Sequence, residues 1–229
     1  IRAKEVVISS GSIERPLVFG NNDTPGVLLS SAAKEYLKIY GVIVGKKPLI
    51  FTNNDSAYET AIEFKKNGID PIILDSRKEL DSDLINEAKN LNITIKFEHV
   101  VVNANGYRKV KSADVAKISE DKTSLGKIQK IDCDCICVSG FWTPTIHLAS
   151  QSGGKTKFSK EIDAFLPDQS KQNETTVGSA NGIFNLQDTL NNSFEVGYNL
   201  SNKITKKDNK QTVPTVLEKK SSIHDKFWC

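Results

Sequence analysis

Between residues 27 and 95 the apolar positions fall into two rhythms. Short apolar runs at 48–51 and 71–74, and the alternating Ile93-Thr94-Ile95, read as strands. Stretches at 27–39, 57–67 and 81–90 space their apolar residues three and four apart, as a helix with one buried face does. Gly41 and Gly68 close the first two helices, and Asp81 or Ser82 caps the third. A strand–helix–strand–helix–strand order predicts right-handed connections and a parallel sheet, hence an α/β fold.

Outside this block the rhythm changes. Residues 5–9 are a short strand ending in Ser10-Gly11-Ser12, and 21–26 are a loop by turn chemistry. From 96 to 117, alternating segments joined by Asn103-Ala104-Asn105-Gly106 predict a hairpin. A strand at 130–138 leads to Gly140, a short helix lies near 145–150, and a strand at 175–177 runs into Gly178-Ser179-Ala180-Asn181-Gly182. A helix is expected over 184–200. The predicted organisation is a Rossmann-like FAD/NAD(P)-binding fold in which a parallel-sheet insert (20–125) interrupts a second, incomplete dinucleotide-binding domain (1–19 and 126–200). Its opening strand and Gly-rich turn are missing, and a Lys-rich linker or tail (201–229) follows.

The turn Thr52-Asn53-Asn54-Asp55-Ser56 stands where a dinucleotide fold has its glycines. Asn53 and Asn54 put side chains where phosphates would lie, Asp55 puts a carboxylate at the anion position, and Ser56-x-x-Glu59 predicts a capping box. Asp75, 23 residues after Thr52, stands where a ribose-binding acid would. The lost glycines and the charge of Asp55 argue against a nucleotide there, so this turn is expected not to bind NAD.

Composition changes the picture in three places. The net charge of +3 is concentrated in 201–222, where six lysines face two acids, a balance of +4; no aromatics are interleaved, so a solvated linker is favoured over nucleic-acid binding. No apolar run approaches the roughly 20 residues a bilayer demands, and no signal peptide opens the chain, so no membrane partner is expected and a cytoplasmic location is. The start at Ile1 without any Met points to a fragment or a processed piece. Cys133, Cys135 and Cys137 alternate along one predicted strand face, and three buried apolar thiols in a reducing compartment are favoured over a disulfide or a metal site.

The run from Val6 to Phe19, with Asn21-Asn22-Asp23-x-Pro25-Gly26-Val27, resembles the alpha subunit of heterotetrameric sarcosine oxidase. So do the segment from Phe51 to Tyr58, the segment from Ser139 to Gly154, and Gly178–Gly182, together covering about residues 2–200. The resemblance implies a pyridine-nucleotide–disulfide oxidoreductase type of fold. It implies an assembly with beta, gamma and delta subunits that demethylates sarcosine, passes electrons through flavins to oxygen and hands the one-carbon unit to tetrahydrofolate. It also implies NAD in the host domain, FMN at the interface with beta, FAD in beta, and a folate-binding domain downstream of this chain. This segment alone is expected to catalyse nothing, and no catalytic or metal residue is assigned.

By motif, Ser10-Gly11-Ser12 is similar to the turn by which such folds brush the dinucleotide, and Gly178, Asn181 and Gly182 resemble the late loop near its pyrophosphate. Gly140, in the Ser139–Gly154 match, joins that cofactor-binding set. Ordinary tight turns are the plain alternative. His147 and Trp142 could face a flavin, but structural roles are preferred. The other functions weighed are a scaffold whose cofactor sites have decayed and a related flavin-dependent amine, opine or proline dehydrogenase subunit.

Overall fold

The computed structural model describes residues 3–205, 212–217 and 224. The chain opens with strands β1 (Val6–Ile8) and β2 (Ser12–Glu14). Next come β3 (Val27–Leu29), α1 (Ser30–Tyr40), β4 (Pro48–Thr52), α2 (Ser56–Lys66), β5 (Ile72–Asp75), α3 (Asp83–Asn90) and β6 (Thr94–Phe97). Strands β7 (His99–Asn105), β8 (Ser112–Lys117), β9 (Gln129–Asp132) and β10 (Cys135–Ser139) follow. The rest is β11 (Trp142–Pro144), α4 (His147–Gln151), β12 (Lys155–Ser159), β13 (Ala164–Gln169), β14 (Glu174–Thr176), a 3-10 turn over Gly178–Asn181 and α5 (Leu186–Thr205).

The chain divides into two compact units, one of Ile1–Ile13 with Trp142–Glu218, the other of Glu14–Phe141 with Lys219–Cys229. The second unit carries a five-stranded parallel sheet in the order β3-β10-β4-β5-β6. Its strands show why the apolar runs are unbroken: both faces are covered. Leu49, Phe51, Leu74, Ile136 and Val138 face a cluster shared with Val100, Val101 and Val115 of the antiparallel β7-β8-β9 sheet. Ile50, Ile73, Cys135 and Cys137 face the other way, onto Ala33 and Leu37 of α1, Tyr58, Ala61 and Phe64 of α2, and Ile85 and Ala88 of α3. Each fully buried Leu, Ile or Phe stabilises the unit by roughly 1.5–3 kcal/mol.

Four expectations change. Residues 27–29 are a strand, not the first turn of a helix, because β10 offers Val27, Leu28 and Leu29 a parallel partner. The hairpin reverses after Gly106, not at Asn103–Gly106: Asn103, Ala104 and Asn105 pair with Asp114, Ala113 and Ser112, and Lys111 N–H donates to the Asn105 carbonyl. The expected single strand at 130–138 breaks at Cys133 and Asp134, where the Asp134 carboxylate accepts from the Lys46 and Lys47 amides at 2.8 Å each. Its second half, β10, lies between β3 and β4 and so shares the compact unit of Glu14–Phe141 rather than that of 142–218.

The same break separates the three cysteines. Cys133 joins one core cluster while Cys135 and Cys137 join the other, so they do not share one face. In the first unit, β1 and β14 form a parallel pair, β2 pairs β11, and β12-β13 is a hairpin. Helix α5 continues through Thr205 into the segment read as tail, and Gln187 of α5 donates to the Pro214 carbonyl and accepts from Val216 N–H. Residues 206–211, 218–223 and 225–229 of that tail lie outside the described residues.

Candidate functional site: two strand-end crevices

In α/β sheets ligands bind beyond the carboxyl ends of the strands, so each unit offers one place to look. In the insert that place is between β4 and β10, and it is closed by the chain's own groups. Asn54 Nδ2 donates to the Ser139 carbonyl and Ser139 Oγ, both at 3.1 Å, and to Asn53 Oδ1 at 3.0 Å. Asn54 Oδ1 accepts from Ser56 N–H at 3.0 Å and Ser56 Oγ at 2.6 Å. This replaces the expected Ser56–Glu59 capping box: Asn54 takes the free amide of α2, and Glu59 pairs across to Lys34 instead. Asn53, Asn54 and Asp55 are all buried.

Behind the turn lies a buried charge cluster. Arg77 Nη2 donates to Asp55 Oδ1 at 2.8 Å and to Asp75 Oδ2 at 2.7 Å, and its backbone N–H and Nε donate to Asp75 Oδ1. Tyr58 OH adds a bond to Asp75 Oδ2 at 2.8 Å. Burial, then the Asp75 charge, pushes the Tyr58 hydroxyl far above its ordinary range, so it stays a donor. Burial alone would disfavour the charge on Arg77, but its bonds to Asp75 and the charges of Asp75 and Asp55 outweigh this and raise it. Asp75 is fully buried and spends both oxygens on Arg77 and Tyr58, leaving no ribose contact. Asp55 is answered by Arg77 rather than left facing the anion position. Helix α1 is filled the same way: the Glu14 carboxylate accepts from Ser31 N–H and Oγ at 2.8 and 2.6 Å.

In the first unit, β1 and β14 run parallel side by side, and Val177 N–H donates to the Ile8 carbonyl. Ser10-Gly11-Ser12 and the Gly178–Asn181 turn therefore leave adjacent strands at the same end. Gly11 has φ +76°, and a Cβ there would meet no atom within 4 Å, so the space over the turn is open. Gly178 and Gly182 have φ +66° and +79°; a Cβ on Gly182 would stand 2.7 Å from Leu166. The Gly178 amide donates to Asn192 Oδ1 at 3.3 Å, and Asn181 is half-buried. Ser10 Oγ donates to the Thr145 carbonyl at 2.7 Å, and Thr145 N–H to the Gly11 carbonyl at 3.0 Å.

Gly140 lies in the other unit. Its N–H donates to the Arg15 carbonyl at 2.6 Å, and its carbonyl accepts from Arg15 Nε. A Cβ there would meet the Arg15 and Pro16 carbonyls at 2.9 and 3.1 Å, so this close crossing of two chain segments by itself demands glycine. His147 is exposed at the start of α4, and Trp142 is half-buried in β11. The sequence reading missed Arg77 and Tyr58. The signal was present: two acids at adjacent strand ends require a cation, and Arg77 follows Asp75 by two.

Cys133, Cys135 and Cys137 are buried free thiols, and burial pushes Cys133 up to about 12. Alkylation of the native chain with iodoacetamide at pH 8, mapped by mass spectrometry, is expected to leave Cys133, Cys135 and Cys137 unmodified until denaturant is added. Prompt alkylation of Cys135 in the native chain would contradict their packing.

The folding pattern is that of the FAD/NAD(P)-binding oxidoreductases. The structure matches L-proline dehydrogenase from P. horikoshii with a TM-score of 0.62 at 20% identity, over 91% of this chain and 36% of that one. It matches T. acidophilum thioredoxin reductase with a TM-score of 0.62 at 16% identity, over 80% and 59%. A flavoprotein disulfide reductase from Escherichia coli gives 0.64 at 16%, over 91% and 46%. No family model matches. In sequence the resemblance to sarcosine oxidase alpha subunits holds: the chain is 35% identical to that of Corynebacterium sp. (strain P-1) over 199 residues, 86% of this chain and 20% of that one. It is 35% identical to that of Rhizobium meliloti (strain 1021) over 79% of this chain and 17% of that one. The chain spans about one fifth of the length of the curated relatives it matches. Among the described residues no helix is long and apolar enough to cross a membrane.

Proposed function

We propose that this chain is a segment of an oxidoreductase subunit of the sarcosine oxidase alpha type, in which the first unit holds part of a dinucleotide and the insert is a scaffold. The observation that carries this is the contrast between the two strand ends. Ser10-Gly11-Ser12 offers open space over Gly11, and the positive-φ glycines of Gly178–Gly182 follow the neighbouring parallel strand at the same end, which fits a pyrophosphate. The crevice of the insert is filled by Asn54 and sealed behind by Asp55, Arg77 and Asp75. In this reading Ser12, Gly178, Asn181 and Gly182 approach the cofactor, Ser10 fixes the turn through Thr145, and Gly140 holds a chain crossing. Bound there, NAD would supply a redox-active nicotinamide, while the chain itself contributes binding and orientation only.

The finer reading follows from the sequence relatives. The complete subunit would join beta, gamma and delta partners, with FMN between alpha and beta and FAD in beta, oxidise sarcosine with oxygen, and pass the one-carbon unit to tetrahydrofolate. The test uses the assembled complex, its cofactors released by denaturation and identified by mass spectrometry. Gly11→Val, which points a side chain into open space at a positive φ, is expected to lower the NAD released per complex severalfold. Asp75→Asn is expected to leave NAD stoichiometry unchanged. The opposite pattern would move the dinucleotide to the insert and overturn the assignment.

A further inference from the structure

Helix α1 has three flanks, and the fold uses only two of them. Ala33 and Leu37 are buried in the cluster shared with the sheet and α2. Lys34 and Lys38 reach across to α2, where they pair with Glu59 and Glu63. The third flank lies opposite those lysines around the helix, so it faces away from α2. Helix α1 follows directly on β3, the edge strand of the parallel sheet, and this flank is open. It carries Tyr36, Ile39 and Tyr40, which are 47%, 68% and 68% exposed. The turn after the helix adds Val42 and Ile43 at 48% and 51%. So dense a run of exposed large apolar side chains marks an interaction surface.

The flank is ordered as well as apolar. At about 100° per residue, Ala32, Glu35, Tyr36, Ile39 and Tyr40 fall within a stripe about 140° wide. Ala32, Glu35, Tyr36, Tyr40 and Val42 line a groove of about 590 Å³. Tyr36 and Tyr40 lie one turn apart, their ring centroids separated by 6.2 Å. Large side chains thus occupy the middle of the stripe, with the small Ala32 at one end and a single charge, Glu35, beside them. Among the described residues the Glu35 carboxylate has no ion-pair or hydrogen-bond partner, and the Tyr40 hydroxyl has no acceptor.

Self-complementarity decides the occupant. Two α1 helices packed antiparallel at about 20°, with the two-fold axis crossing between positions 37 and 38, place Tyr36 of one copy against Ile39 of the other. The same register sets Glu35 against Tyr40 of the second copy and leaves Ala32 facing its Val42–Ile43 turn. Bulk meets gap and a hydroxyl donor meets a carboxylate, twice over by symmetry. The two Glu35 carboxylates stand about 7.5 Å apart along the axis, so like charges do not meet. An unrelated apolar helix would fill the same groove but leave Glu35 covered without a donor. We infer that α1 and the turn after it form a self-association face through which two copies of this chain pair antiparallel, Tyr40 Oη donating to Glu35 across the two-fold. One helix and a turn make a small interface, so association belongs in the micromolar range. The face lies wholly in the second unit and survives failure of the dinucleotide reading.

The test is sedimentation velocity of the full chain from low-micromolar to submillimolar concentration. A monomer–dimer equilibrium that stops at the dimer is expected. Ile39→Glu, at an exposed position, sets a carboxylate beside Glu35 of the second copy and is expected to keep the chain monomeric throughout. Its urea midpoint is expected to match that of the native chain, which separates lost association from lost folding. Tyr40→Phe is expected to raise the dimer dissociation constant about tenfold for the two bonds lost. Combined with Glu35→Leu it is expected to recover native association, because neither group is then left unpaired. Lys38→Ala, on the α2 flank, is expected to leave association unchanged. A single monomeric species at every concentration, open-ended oligomers, or a dimer indifferent to Ile39→Glu or to Tyr40→Phe would overturn the assignment.

Discussion

Arg77→Met is expected to be the most destabilising single exchange in the insert, costing about 3–5 kcal/mol. The guanidinium is the cation shared by Asp55 and Asp75, which are 5% and 0% exposed, so its loss strands two carboxylates away from water. A domain has only about 5–15 kcal/mol in total, so the insert should lose its cooperative unfolding baseline at far lower urea. Burying this cluster is itself costly, which sets up the diagnostic control. Arg77→Met combined with Asp55→Asn and Asp75→Asn is expected to recover most of the loss, because no charge then remains unpaired. Breaking the exposed Lys38–Glu63 pair at 3.4 Å should cost less than about 1 kcal/mol. Equal urea midpoints for Arg77→Met and the native chain would show that the cluster carries no weight in the fold.

The sheet was legible because its apolar runs are long relative to their turns. Lys47, Gly68 and Pro71 punctuate strands whose side chains are buried in β4 and, past the half-buried Ile72, in β5, so β4, β5 and α2 fall within a residue or two of expectation. What failed to show was pairing across distance. Nothing local distinguishes Val27-Leu28-Leu29 from the first turn of α1; only β10, more than a hundred residues on, makes it a strand. The strand break at Asp134 is likewise set by two amides at Lys46 and Lys47. The crevice was half legible. That Asn53, Asn54 and Asp55 fill the turn could be read from their side chains, but the capping partner could not. Ser56 and Glu59 have the right spacing, yet Asn54 reaches the Ser56 amide first, and Lys34 of the neighbouring helix draws Glu59 away.

Asn54→Ala tests whether that carboxamide merely closes the crevice or also supports the fold. Its nitrogen bonds the Ser139 carbonyl and hydroxyl at the end of β10, and its oxygen takes the first amide of α2, so one side chain ties two central elements. Truncation removes a helix cap, worth about 1 kcal/mol, and the buried hydrogen bonds to Ser139, worth about 1–2 kcal/mol more, while the Ser139 carbonyl keeps the Asn53 N–H. The expected loss by urea denaturation is about 2–3 kcal/mol, smaller than that of Arg77→Met because no net charge is stranded. Opening the turn this way should still not admit a dinucleotide. The Asp55–Arg77–Asp75 cluster behind it remains intact, with both Asp75 oxygens committed and no acid left for a ribose. Calorimetric titration of Asn54→Ala with NAD is therefore expected to show no binding at the insert. Micromolar binding by that variant, abolished by a further Asp75→Ala, would show that Asn54 alone had been the barrier and that the charge cluster can be rearranged to serve a nucleotide.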